Sequence, residues 1–202
     1  MSRSSLIARE GLLPVVVSVL AALLVMQAAG VLVSLVFWLV ALVVLLIFRD
    51  PPREIPSVPM AVVSPADGRV MSISMSDDPY LLRESIHIVI QMNPYGVFST
   101  RSPVEGKVLE PPNIPVDKDM PHGVWLQTDE GDDIVLVMNR GRLHNAPRCY
   151  VQFGERIGQG QRCGFIHMGA QIDLYLPTNS RAAVSAGDFV KSGADVIATL
   201  IH

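Results

Sequence analysis

The order of apolar and polar positions divides this chain near residue 50. From Leu12 to Phe48 no residue is charged, and the apolar positions follow neither a helical stripe nor a strand alternation. A helix needs about 20 apolar residues to cross the hydrocarbon of a bilayer, and this run is nearly twice as long. Its weak point is Gln27-Ala28-Ala29-Gly30. The pattern predicts a helical membrane hairpin over residues 12–48, with arms Leu12–Met26 and Val31–Phe48; one long tilted helix is the alternative. The first arm is short for a full crossing. The run is also too long for the apolar core of a secretory signal. Arg3 and Arg9 precede it, and Arg49 and Arg53 follow it. A hairpin sets all four on one side, which the positive-inside rule makes cytoplasmic. Residues 1–50 are thus expected to anchor the rest to the inner membrane.

Beyond residue 50 the period changes. Pro51, Pro52, Pro56 and Pro59 predict a stiff extended linker. Ala61-Val62-Val63, Val70-Met71-Ser72-Ile73, Ile86-His87-Ile88-Val89-Ile90, Ile134-Val135-Leu136-Val137-Met138 and Ile172-Asp173-Leu174-Tyr175-Leu176 read as strands. No long amphipathic helix is predicted, so residues 51–202 are expected to form one mainly β domain. Two motifs recur. Ser64-Pro65-Ala66-Asp67-Gly68-Arg69-Val70 returns as Ser102-Pro103-Val104-Glu105-Gly106-Lys107-Val108. Gly154-Glu155-Arg156-Ile157-Gly158-Gln159-Gly160 returns as Gly187-Asp188-Phe189-Val190-Lys191-Ser192-Gly193. Glycine at each turn predicts positive φ. The paired turns resemble those of the barrel–sandwich hybrids of lipoyl and biotinyl domains, and predict a pseudo-symmetric β-sandwich.

Composition changes this picture little. Half of the 202 residues are hydrophobic, and the excess sits in residues 11–48. The net charge of −3 offers no basic face for nucleic acid. Cys149 and Cys163 lack metal-ligand spacing, and with the histidines they form no zinc signature. They read as free buried thiols, with a disulfide as the lesser alternative, and no metal is expected.

Phe48-Arg49-Asp50-Pro51-Pro52-Arg53, Val63-Ser64-Pro65-Ala66-Asp67-Gly68-Arg69-Val70, the run from Gly154 to Ile166, and Gly169-Ala170-Gln171-Ile172-Asp173-Leu174-Tyr175-Leu176-Pro177 occur in order. Together they resemble the short, membrane-anchored bacterial and archaeal phosphatidylserine decarboxylases, from about Phe48 to the C-terminus. The resemblance implies a lyase of phospholipid biosynthesis, acting on an aminophospholipid to give phosphatidylethanolamine. It also implies a proenzyme that cuts itself at a Gly-Ser bond. There the serine hydroxyl attacks the preceding carbonyl, the ester eliminates, and the serine becomes an N-terminal pyruvoyl group. That carbonyl forms a Schiff base with the substrate amine and takes up electrons as CO₂ leaves. A Ser/His/Asp set supports the self-cleavage.

Transferred onto this chain, the resemblance makes Asp67 the acid and Gly169 the residue before the cut. Ala170 stands where the serine belongs. The family segment D-V-H-x-N-R-x-P is Gly96-Val97-Phe98-Ser99-Thr100-Arg101-Ser102-Pro103. Its histidine is therefore Phe98 and its aspartate Gly96, while Arg101 is kept as a candidate substrate contact. His167, just before Gly169, is a second such candidate. Alanine has neither a hydroxyl to attack with nor a leaving group to eliminate, so no pyruvoyl cofactor is expected from Ala170. An engineered Ser→Ala would account for Ala170 but not for Phe98 and Gly96; natural divergence accounts for all three.

Other residues offer little replacement. Cys163 lies in an apolar run, where a buried structural thiol is the rule. Ser180 is the other nearby hydroxyl or thiol. His87 sits in strand alternation, and His122 and His144 lie in loop-like segments. Without the resemblance, Asp67-Gly68 is an ordinary turn pair. The expectation is a degenerate family member that binds membrane lipid, or that pairs with a second copy or an active relative. The alternatives are an active decarboxylase with a non-standard site and a membrane-tethered scaffold domain.

Overall fold

A computed structural model describes residues 8–94, 96–112, 122–141, 146–166 and 169–201. The chain forms two units, Met1–Pro52 and Arg53–His202.

In the first unit a short 3₁₀ turn, Arg9–Gly11, leads into α1, Leu12–Ile47. Within α1, Gly30 leaves helical geometry (φ 83°, ψ 175°). Positive φ of this kind is open to glycine and strained for other residues. The helix therefore runs through Gln27, Ala28 and Ala29 and breaks only at the glycine. The arms on either side have roughly 18 and 17 residues, so they are nearly equal at about 26 Å each. The ends of the run meet: the Ala8 amide donates to the Phe48 carbonyl at 2.8 Å. A Cβ on Gly11 would fall 2.2 Å from that of Phe48. The buried side chains of α1 are small ones, Ala22, Ser34 and Ala41. Ser18 and Ser34 return their hydroxyls to the carbonyls of Val15 and Val31, at 2.9 and 2.8 Å. That leaves both hydroxyl hydrogens satisfied within an apolar run.

In the second unit every strand pairing among the described residues is antiparallel. Its strands are β1 (Ala61–Val63), β2 (Gly68–Asp77), β3 (Glu84–Met92), β4 (Ser99–Arg101), β5 (Gly106–Leu109), β6 (His122–Gln127) and β7 (Asp133–Met138). They continue as β8 (Arg148–Cys149), β9 (Arg156–Ile157), β10 (Arg162–Phe165), β11 (Gln171–Leu176), β12 (Arg181–Ala182), β13 (Phe189–Val190) and β14 (Val196–Thr199). One eight-stranded sheet has the order β13-β2-β3-β11-β7-β6-β5-β9; two small sheets are β1-β14-β12 and β4-β10-β8. The five strands read from alternation all lie within β1, β2, β3, β7 and β11. The two-residue strands β8, β9, β12 and β13 carry too few positions to show a period.

Register explains the alternation. Ile90, Ile172 and Met138 face one another across β3, β11 and β7, as do Ile88, Leu174 and Leu136. All six are fully buried, and burial of each side chain is worth about 2 kcal/mol. On the other face of the same strands, Tyr80, Val135, Val137 and Tyr175 form a second cluster with Leu81 and Trp125. The β2–β3 loop folds over that face because Asp78 organises it: its Oδ1 accepts the amides of Tyr80 and Leu81 at 2.8 and 3.3 Å. Burial raises the Asp78 carboxyl above its ordinary range, against the pull of those two bonds.

The repeats form a pseudo-two-fold pair. Val63 donates to Pro103 O and Arg101 to Pro65 O, each at 2.9 Å. Gly193 donates to Ser64 O at 2.8 Å and Gly160 to Ser102 O at 2.9 Å. The hydroxyls of Ser64 and Ser102 reach the carbonyls of Ala66 and Val104 at 2.8 and 2.7 Å. Strands β4–β10 are one half. Strands β1–β3 and β11–β14 are the other, with the first half inserted between β3 and β11. The turn glycines 154, 160, 187 and 193 have positive φ as expected. Gly68 and Gly106 differ. They are required by crowding, since a Cβ on them would lie 2.3 and 2.4 Å from the carbonyl oxygens of Gln91 and Gln127.

Candidate functional site

The two joints of that insertion are residues 93–98, between β3 and β4, and residues 166–170, between β10 and β11. They run side by side: Ile166 N donates to Phe98 O at 2.9 Å, and Met92 N donates to Ala170 O at 3.0 Å. Gly169 has φ +68°, and a Cβ on it would lie 3.2 Å from that of Met92 and 3.7 Å from Cε1 of Phe98. Phe98 is buried with its ring edge-on to Phe165, and Ala170 is 5% exposed.

Asp67 enters from the β1–β2 turn. Its main-chain carbonyl accepts Asn93 N at 3.0 Å, and a Cβ on Gly96 would stand 3.4 Å from its own. The fold thus gathers Asp67, Gly96, Phe98, Gly169 and Ala170, which lie far apart in sequence. Arg101, on β4, donates from NH1 to Gly160 O at 3.1 Å and packs its Cδ where a Cβ on Gly193 would come. His167 and His144 lie outside the described residues.

The Asp67 carboxylate is engaged on both oxygens. Oδ2 accepts Arg53 NH2 at 2.7 Å, and Oδ1 accepts Ser192 N at 2.7 Å. The ion pair is sheltered, with the two side chains 19% and 16% exposed. Asp67 therefore clamps the linker and the turn after β13 to the β1–β2 turn. Sequence reasoning missed Arg53 and Ser192 as its partners; the only signal was that both belong to quoted motifs.

Neither alternative source of a nucleophile is poised for the work. Cys163 is fully buried on β10, its thiol pushed up to about 12 by burial, so it stays protonated near neutral pH. Ser180 lies past the far end of β11, a strand whose six residues span roughly 20 Å from the end near Ala170. The position after Gly169 carries a methyl group, so the residues present do not fit a pyruvoyl group.

A second polar cluster lies on the outer face of the large sheet. Asp173 of β11 takes His87 Nε2 at 3.0 Å and Gln171 Nε2 at 2.8 Å on Oδ1, and Asn139 Nδ2 at 2.6 Å on Oδ2. The His87 ring stacks on Tyr175 at 4.5 Å. Burial pushes the Asp173 carboxyl up, but the bonds from His87, Gln171 and Asn139 together hold it below its ordinary range. His87 read as an isolated strand residue in the sequence, because its partner lies two strand positions off the residue directly opposite.

Comparison with known proteins bears directly on this arrangement. The profile of the family described as phosphatidylserine decarboxylase matches residues 40–198. Proteins named phosphatidylserine decarboxylase proenzyme from Nitrosomonas europaea and Aromatoleum aromaticum are each 39% identical to this chain. The alignments cover 96% of this chain and 94% and 96% of theirs. The protein of that name from Burkholderia vietnamiensis is 38% identical, with 96% of each chain covered. Matched by the profile over most of its length and by these relatives nearly end to end, the chain belongs to the phosphatidylserine decarboxylase family.

Proposed function

We propose that this chain is a membrane-tethered member of the family that keeps the fold and a place for an aminophospholipid but does not cut itself. The observation that carries this reading is the buried methyl of Ala170 at the position after Gly169, with the buried Phe98 ring 3.7 Å from where a Cβ on Gly169 would stand. Cleavage by the family route needs a hydroxyl at the first position and an imidazole near the second. The intact mass of the purified chain tests it: one species of about 22.0 kDa is expected. Borohydride with labelled phosphatidylserine should trap no adduct. A fragment beginning near residue 170, or a trapped adduct, overturns the reading. The identity to relatives named as proenzymes favours a second reading, an active decarboxylase with a different electron sink. Release of CO₂ from carboxyl-labelled phosphatidylserine by the uncut chain would establish it.

The anchor reading rests on an apolar helix that breaks at Gly30 and brings its ends together. A helix apolar on every side belongs in hydrocarbon or in a protein core, and most large side chains of α1 are exposed. Arms of about 26 Å come close to the hydrocarbon thickness of about 30 Å. Arginines at both ends favour the cytoplasmic side of the inner membrane for the β unit. Tags at the N-terminus and on the β unit should show the same protease protection in oriented vesicles. Protection of one tag alone would refute the hairpin topology.

A further inference from the structure

The two edge strands of the large sheet are pseudo-symmetric mates, yet their chemistry is opposite. On the β9 edge, Arg156 stands opposite Lys107 and pairs with Asp129 at 2.6 Å, a charged and solvated surface. On the β13 edge the equivalent position is Phe189, opposite Arg69. Phe189 is 75% exposed, and Met71, two residues past Arg69 on β2, is 56% exposed. The ring is oriented: the Arg69 guanidinium lies 5.3 Å over its centroid and donates from Nε to Gly187 O at 2.8 Å. Lys191, two residues on, is also exposed. An aromatic ring and a methionine framed by cations suit the boundary between acyl chains and lipid phosphates.

The linker that follows α1 is bound beside this edge through Arg53, and its Ile55 also packs on the turn after β9, where a Cβ on Gly160 would lie 2.8 Å from it. Asp67, two residues before Arg69, holds both Ser192 N and Arg53. Arg53 follows Phe48, at the end of α1, by only five residues. An extended chain of that length reaches at most roughly 18 Å. Arg69 thus lies two residues from the carboxylate that holds the linker.

We infer that the Phe189–Met71–Arg69 surface rests on the bilayer. The ring and the thioether enter the boundary region, and Arg69 and Lys191 meet lipid phosphates. This rests on the membrane reading above. The test uses the full chain in phosphatidylcholine–phosphatidylglycerol vesicles, in a Trp38→Phe background with Trp125 retained. Phe189→Trp and, separately, Phe153→Trp add one indole each; Phe153 is the other strongly exposed phenylalanine of the β unit. The added emission at 189 should be blue-shifted and lose about half its intensity when the lipids carry bromine ~5–10 Å below the headgroups. The emission at 153 should stay unquenched. A chain that floats with vesicles but shows no quenching at 189 overturns this inference alone. A blue shift without quenching means that protein, such as a second copy, covers the patch, and also overturns it. Equal quenching at 153 removes the edge preference. A chain that fails to float removes the membrane reading and this inference with it.

Discussion

Ala170→Ser alone is expected to cut itself about 10²–10⁴ times more slowly than Ala170→Ser combined with Phe98→His, the range that general-base help is worth. A serine hydroxyl at neutral pH is a weak nucleophile without a positioned base. The Phe98 ring, which would lie 3.7 Å from a Cβ on Gly169, can neither take a proton nor pass one on. An imidazole at that position stands at the right joint to do so. Two features of the structure limit the double variant. Both Asp67 oxygens are engaged, by Arg53 and by Ser192 N, so the acid has limited capacity left to orient the new imidazole. The aspartate missing at 96 would have stood beside Asp67, where a Cβ on Gly96 comes within 3.4 Å of the Asp67 Cβ. Adding Gly96→Asp should therefore quicken cleavage further, provided the new carboxylate orients the imidazole that Phe98→His introduces. A time course on a denaturing gel, started from chain refolded out of urea, reads all three rates. Equal rates for the single and double variants would remove Phe98 from the base position and make His167 the next candidate, since His87 is bonded to Asp173 and stands opposite Tyr175, five residues along β11 from Ala170.

What the sequence made legible follows from how far each signal extends along the chain. Strands with a core on one face announced themselves, as Ile88–Ile90 and Leu174–Leu176 do, because alternation needs several residues to show. The repeats announced the pseudo-symmetry because equivalent hydrogen bonds, such as those of Gly160 and Gly193 to Ser102 and Ser64, demand the same residue types twice. The break in α1 was placed within a four-residue window. Only the structure shows that Gly30 alone carries it, since Gln27, Ala28 and Ala29 are compatible with helix. The insertion of one half into the other was not legible, because no local pattern records that β3 pairs with β11 rather than with the next strand. The site was legible as a set of positions through family resemblance. Its wiring was not: Arg53 read as a flanking charge, and Ser192 contributes a backbone amide that no side-chain pattern reports.

The Asp173 cluster was invisible for a related reason, and it carries the largest expected effect on stability. Asp173→Ala should destabilise the β unit by about 3 kcal/mol, the scale of hydrogen bonds to a buried charged group. For a unit of this size that lowers Tm by roughly 6–12 °C. Asp173 is 7% exposed on a strand flanked on both sides, so water does not readily replace it. Its loss leaves the Nε2 of His87, the Nε2 of Gln171 and the Nδ2 of Asn139 without their acceptor. Asp173→Asn keeps the shape but turns one acceptor into a donor facing donors, so it should cost nearly as much. The pH dependence separates charge from shape. The folded carboxyl lies below its ordinary value of 3.8, so the unfolded chain binds the proton more readily. The stability it contributes is fully present above that value and is lost as pH falls through the lower, folded one. The gap in unfolding free energy between the parent and Asp173→Asn should stay level from pH 7 to about 5, then close below about 4. Urea unfolding of both chains across that range measures it. A gap that persists unchanged at pH 3 would mean that Asp173 acts through its shape and its neutral hydrogen bonds rather than its charge.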